Sequence, residues 1–140
     1  MRNLGEAIDS LANSTGAEIL YVFGSRAGEV AARVKEKASG LAENASDIDI
    51  GVLLPDGSWP VQEKVRFAQA LEALFGVERV DLVVLNEADP FLAAEVIRGE
   101  RLFERNRRRT DEFELFVLRR VGDLAPFEHE RMQRALEGRE

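Results

Sequence analysis

VFGSRAGEVAARVKEKASGLAENASDIDIGVLL, residues 22–54, begins and ends in apolar runs and carries a Gly24-Ser25 pair and the triplet Asp47-Ile48-Asp49 between them. A carboxylate in a buried strand is costly without a partner, so the triplet either lies at the surface or holds a cation. Side chains alternate across a strand, which puts Asp47 and Asp49 on one face and Ile48, Ile50, Val52 and Leu54 on the other. "SDIDIGVLLP" thus reads as a strand with an apolar core face and an acidic one. Gly51, next on the acidic face, either leaves room for a ligand or marks a bend.

Upstream, "AEILYVFGS" reads as a buried strand running into a turn at Gly24, and Leu4, Ile8 and Leu11 recur at helical spacing before Asn13 to Gly16. Residues 26–38 favour helix, with Val30 and Val34 inward and Arg33, Lys35, Glu36 and Lys37 exposed. Ser39-Gly40 weakens that helix, and "ENAS" reads as a loop. Downstream of the turn Pro55-Asp56-Gly57, Ser58 and Pro60 suit a helix start. Val61, Val65, Ala68, Leu71 and Phe75 form its inner stripe, and Gly76 ends it. "RVDLVVL", 79–85, is a third strand. Asp89-Pro90 opens a helix that Gly99 stops, and "RLFER" is a short edge strand.

Thr110-Asp111-Glu112 starts a C-terminal helical arm to about Leu136, with a break expected near Pro126. Its stripe of Phe113, Phe116, Val117, Val121 and Leu124 suffices to dock it, leaving Leu115 and Leu118 for a partner surface or for burial elsewhere. Alternating strands and helices imply an α/β or α+β layer structure, and the short connections leave one domain over 1–140, its core at about 15–105 and its arm at about 110–137, read as α+β with a mixed sheet flanked by helices.

The totals narrow the classes. The chain has 140 residues, and its 26 acidic against 19 basic residues give a net charge of −7, which disfavours a DNA or general RNA binder. Without cysteine there are no disulfides, thiolate metal sites or cysteine nucleophiles. No signal-peptide core and no run of 18 apolar residues is present, so a cytoplasmic protein with no membrane partner is expected. His129, the only histidine, reads as a surface helix residue, which leaves no Ser-His-Asp triad. Arg105 and Arg107 to Arg109 form a basic knot, read as a solvated loop or a contact for phosphate, RNA or an acidic partner.

An aspartate inside "RVDLVVL" has poor strand propensity, so Asp81 needs a use. If the second and third strands are neighbours, all three carboxylates meet, and two charges ~5 Å apart repel by roughly 3 kcal/mol at an effective dielectric of ~20. Protonation or a divalent cation relieves that, and oxygen-only ligands suit Mg²⁺ or Mn²⁺ rather than zinc. Gly24-Ser25, between a strand and a helix, is where backbone N–H groups and the helix dipole attract anions, with Arg26 and Arg33 as counter-charge. It is neither a P-loop nor a G-x-G-x-x-G turn.

A strand ending in Gly-Ser, a strand bearing Ser-Asp-x-Asp and an Asp within Val-Asp-Leu-Val-Val resemble the minimal nucleotidyltransferase domain of the polymerase-β-like superfamily. The continuation "LNEADPFLAAEVIRGERLFER" is similar to the MNT group, the antitoxins of HEPN/MNT toxin–antitoxin pairs. The resemblance, over roughly residues 15 to 125, implies that Gly24 and Ser25, with Arg26 and Ser46 beside them, bind the nucleotide. It also implies that Asp47, Asp49 and Asp81 are catalytic and hold two Mg²⁺ ions. ATP is then the substrate and a HEPN-family toxin the partner, AMP passing to a toxin hydroxyl, expected to be a tyrosine; a homo- or hetero-oligomer is compatible with this. The alternatives are an aminoglycoside-like enzyme acting on a small molecule and an antitoxin that works by contact alone. One departure from the family stands out: about eleven extra residues separate Gly-Ser from Asp-x-Asp, either ~3 added helical turns or a loop over the site.

Overall fold

The computed structural model describes residues 2–41 and 47–137. In chain order the elements are α1 (Leu4–Thr15), β1 (Ile19–Phe23), α2 (Ala27–Lys35), β2 (Ile48–Leu53), α3 (Val61–Phe75), β3 (Val80–Val84), α4 (Pro90–Ile97), β4 (Glu100–Glu104) and α5 (Arg107–Glu137). The strands form one mixed sheet in the order β3-β2-β1-β4, with β2 and β3 parallel and β1 antiparallel to both of its neighbours. The architecture is α+β, a four-stranded sheet flanked by helices and followed by a long C-terminal helix.

Strand alternation divides the core in two. Leu20, Val22, Ile48, Ile50, Val52 and Val84 face α1, α2 and α3, meeting Leu4, Ile8, Val30, Phe67, Leu71 and Phe75. Ile19, Tyr21, Phe23 and Leu85 face α4 and α5, meeting Ala93, Ala94, Val96 and Val117. All five residues of β1 are buried as a result. Gly51 is explained by this second layer. A Cβ there would run into Val96 Cγ1, so the glycine lets α4 lie close on the sheet, and neither a ligand space nor a bend is found at it. The face read as acidic is acidic only at its leading end.

Two helical stripes differ from expectation. In α3 the buried residues are Phe67, Leu71 and Phe75, while Val61 and Val65 are exposed. Trp59 packs on Phe67 with ring centroids 5.0 Å apart, which rotates the apolar arc away from the two valines. In α5 Val117 is buried with Phe113, Val121 and Leu124 partly so, but Phe116 is exposed along with Leu115 and Leu118. The helix begins at Arg107 rather than Thr110, because Asn106 caps it by accepting the Arg109 N–H (3.1 Å). It continues through Pro126, where one intrahelical bond is given up.

The basic knot is therefore not a loop. Arg107 to Arg109 form the first turn of α5, and Arg105 donates to the carbonyls of Ala12 and Ala17 and to Asn13 Oδ1, closing the C-terminus of α1. The side chain of His129 lies outside the described residues.

Candidate active site

β1 ends at Phe23, directly opposite Asp49 of β2, and the chain turns at Gly24 with φ +80. That left-handed backbone suits glycine, and a Cβ at Gly24 would also collide with the Asp49 carboxylate. Ser25 follows, exposed, and α2 starts at Ala27 with no side chain capping its N-terminus. The Ala27 N–H turns back to the Gly24 carbonyl (3.2 Å), so an anion here would be met by the N–H groups of Gly28 and Glu29, beside a carboxylate that sits against the turn.

β2 pairs with β3 in parallel, and the register places Asp49 opposite Asp81. The neighbouring-strand condition is met. Asp47 lies exposed one residue before β2. Burial first, then the Asp81 charge and a hydrogen bond shared with Asp81, then the Asp47 charge, push the Asp49 carboxyl up from its ordinary value. Asp49 is thus the carboxylate on which the charges of the other two bear.

A raised carboxyl pKa means that the native state holds its proton to higher pH than the unfolded chain does. Its contribution to stability is present below the folded value and is lost as the pH rises through it. At neutral pH an ionised Asp49 therefore costs stability, and Asp49→Asn should melt above wild type in EDTA. The gap should close as the pH falls below the unfolded-state value of about 3.9, where Asp49 becomes protonated in both states, and Mg²⁺ should narrow it at neutral pH. Coincident metal-free melting curves at neutral pH would show that the carboxylates do not interact.

Around these residues the charges are partly spoken for. Arg26 is bidentate to Glu29 (3.0 and 2.6 Å), and that hydrogen bond holds the Glu29 carboxyl below its ordinary range. Arg33 donates twice to the Gly40 carbonyl (3.1 and 2.9 Å) and is half-buried, so the expectation of an exposed counter-charge is not met. Arg79, which the sequence reading passed over, places Nη2 3.1 Å from Asp81 Oδ1. Its signal was present, since residues 79 and 81 share a face of the strand. Ser46 lies outside the described residues.

The donor set fits a hard divalent cation in chemistry, being carboxylate oxygens only. Among the described residues no three acidic side chains already converge on one cation position. Convergence needs a side-chain rearrangement. Among its described residues, the long connection between Ser25 and Asp47 is helical over Ala27–Lys35. It leaves the helix through Lys37 at φ 59, with Lys37 and Ala38 donating back to the Val34 and Arg33 carbonyls. Two cavities, of about 380 and 460 Å³, share Leu53, Asn86, Phe113 and Phe116 and lie at the opposite end of β2 from Asp49.

The family described as polymerase beta, nucleotidyltransferase matches residues 6–108, a span holding the Gly-Ser turn and all three aspartates. The chain belongs to the polymerase β nucleotidyltransferase family. A solved minimal nucleotidyltransferase is 33% identical, with 69% of this chain and 85% of that one covered at a TM-score of 0.50. A toxin–antitoxin structure with AMP-PNP matches over 93% of this chain and 91% of its own, at 22% identity and a TM-score of 0.63. A complex of tri-AMPylated Shewanella oneidensis HEPN toxin with MNT antitoxin matches over 94% and 89%, at 22% and 0.57. At that identity these last two show the nucleotidyltransferase fold alone. Comparison with curated proteins by sequence gives no match. Among the described residues no helix is long and apolar enough to cross a membrane.

Proposed function

We propose that this polymerase β-type nucleotidyltransferase acts as a single domain that moves AMP from ATP to a tyrosine hydroxyl of a HEPN-family toxin, and so serves in the cytoplasm as its antitoxin. The carrying observation is Asp49 in register with Asp81 beside the Gly24-Ser25 turn. The toxin–antitoxin relatives, one crystallised with AMP-PNP and one holding an AMPylated HEPN toxin, support the choice of nucleotide and partner. The chain's own tyrosine bears on the acceptor alone. Tyr21 is the only tyrosine, it is fully buried, and its hydroxyl donates to Glu114 at 2.6 Å. Tyr21 itself is therefore not placed to be the acceptor.

In this reading the Gly24 backbone, the Ser25 hydroxyl and the open N–H groups of α2 hold the phosphates, and Asp47, Asp49 and Asp81 are the residues that would hold Mg²⁺. When bound, the cation supplies neutralisation of the phosphate charge and polarisation of the acceptor hydroxyl. The acceptor oxygen forms a bond to the α-phosphorus, the bond from that phosphorus to the bridging oxygen breaks, and pyrophosphate leaves. The hydroxyl proton passes to Asp81, whose partly exposed carboxylate an incoming side chain can reach.

The test is incubation with labelled ATP, Mg²⁺ and a HEPN protein encoded beside this chain, followed by intact mass of both proteins. A gain of one or more AMP on the partner and none on this chain is the expected result. Neutralisation of the toxin with no mass change, in EDTA as in Mg²⁺, would leave the contact-only antitoxin standing instead.

A further inference from the structure

Arg79 immediately precedes β3, and its carbonyl accepts the Ile48 N–H (3.3 Å), which ties its backbone to the start of β2. Being two residues before Asp81, it leaves the sheet on the same side. Its guanidinium reaches Asp81 Oδ1 at 3.1 Å, while the two side chains remain 68% and 44% exposed. A cationic side chain thus sits on one oxygen of Asp81, the carboxylate in register with Asp49. Ion pairs this exposed are weak, and a divalent cation at the same carboxylate outcompetes a monovalent one. The arrangement holds Asp81 in place at little cost to its later release.

We propose that Arg79 is a displaceable counter-ion: it neutralises Asp81 while the cluster is without metal and yields that carboxylate when a divalent cation enters. This rests on the reading of Asp47, Asp49 and Asp81 as cation ligands. Arg79 is then a positioning residue, and its effect on bare-cation binding is inhibitory. Removing it lifts both the competition for Asp81 and the repulsion of the incoming charge, so the cation should bind more tightly. A merely structural role for Arg79 would have the opposite sign, because a loosened strand end weakens every ligand site on it.

The experiment is titration with Mn²⁺ at low ionic strength, free Mn²⁺ being followed by its electron paramagnetic resonance signal. Arg79→Gln should bind Mn²⁺ about two- to fivefold more tightly than wild type, with the advantage shrinking in high salt. Arg79→Lys, which keeps the charge, should resemble wild type. On an Asp81→Asn background, Arg79→Gln should lose most of its advantage, because the pair is already broken. Thermal melting of each variant checks that the fold is intact. If wild type binds Mn²⁺ and Arg79→Gln binds it equally or more weakly, Arg79 is not a counter-ion, although the metal site stands. If neither wild type nor Arg79→Gln binds Mn²⁺, the metal reading itself fails and the proposal fails with it.

Discussion

Asp81→Asn is expected to lower AMP transfer to the partner by at least ~10²–10³-fold, the scale on which loss of one charge-stabilising group acts in a transition state. ATP affinity should meanwhile stay within about threefold of wild type. The contrast follows from placement. Asp49 lies against the Gly24 turn, where the phosphates would bind, whereas Asp81 is one strand further out and offers its carboxylate to solvent. A group that acts mainly in the transition state lowers transfer without a matching loss of ground-state binding. Asp47→Asn and Asp49→Asn should by the same logic lose both, and EDTA should do to wild type what those two substitutions do. Calorimetry with ATP and intact mass of the partner supply the two readouts. If Asp81→Asn transfers AMP as wild type does, Asp81 is not part of the chemistry. If it loses ATP binding in step with transfer, its role is no different from that of Asp49.

Arg101→Met should carry the largest stability cost of any side-chain truncation at the sheet edge. Arg101 of β4 is bidentate to Glu114 of α5 (both bonds 2.9 Å) and also reaches Asp111 at 3.1 Å and Glu104 at 3.5 Å. Tyr21 of β1 donates to the same Glu114 oxygen that Arg101 Nε does. Three elements are thus tied through one carboxylate, and this is how α5 is held on the sheet beside its Val117 contact. The hydrogen bond to Glu114 pushes the Arg101 guanidinium up. Burial, and after it Glu114, pushes the Tyr21 hydroxyl up as well, so neither group loses its proton near neutral pH.

Removing the cation leaves Glu114, Asp111 and Glu104 facing one another. Breaking a fully buried pair costs about 3–5 kcal/mol, and discounting for the partial exposure of Arg101 and Glu114 (29% and 21%) leaves roughly 2–3 kcal/mol. For a domain of this size that is a fall in Tm of roughly 7–10 °C. Tyr21→Phe, which loses a single bond to a charged acceptor, should cost less, about 1.5–2 kcal/mol. A melting temperature for Arg101→Met within ~2 °C of wild type would mean that the network does not anchor the helix, given that a few kcal/mol would move it several times further.

Much of this arrangement can be read from periodicity. Alternation over residues 47–54 assigns the two aspartates to one face and four apolar residues to the other whatever the rest of the chain does, because the pleat is local. Caps act locally too, and Asp89-Pro90 and Gly76 mark helix ends through contacts within a turn. Tertiary structure decided the rest, because it depends on neighbours far away in sequence. Asp49 meets Asp81 only because β2 and β3 pair in parallel in that register, 32 residues apart. Val61 and Val65 turn outward because Trp59 and Phe67 occupy the inner arc, and Phe116 does so because Val117 takes the contact with the sheet. Gly51, legible as a gap in an acidic face, is the seat of Val96 from a helix 45 residues on. Apolar spacing states which side chains seek burial but not which of two adjacent stripes will find a partner, and that choice is made by packing.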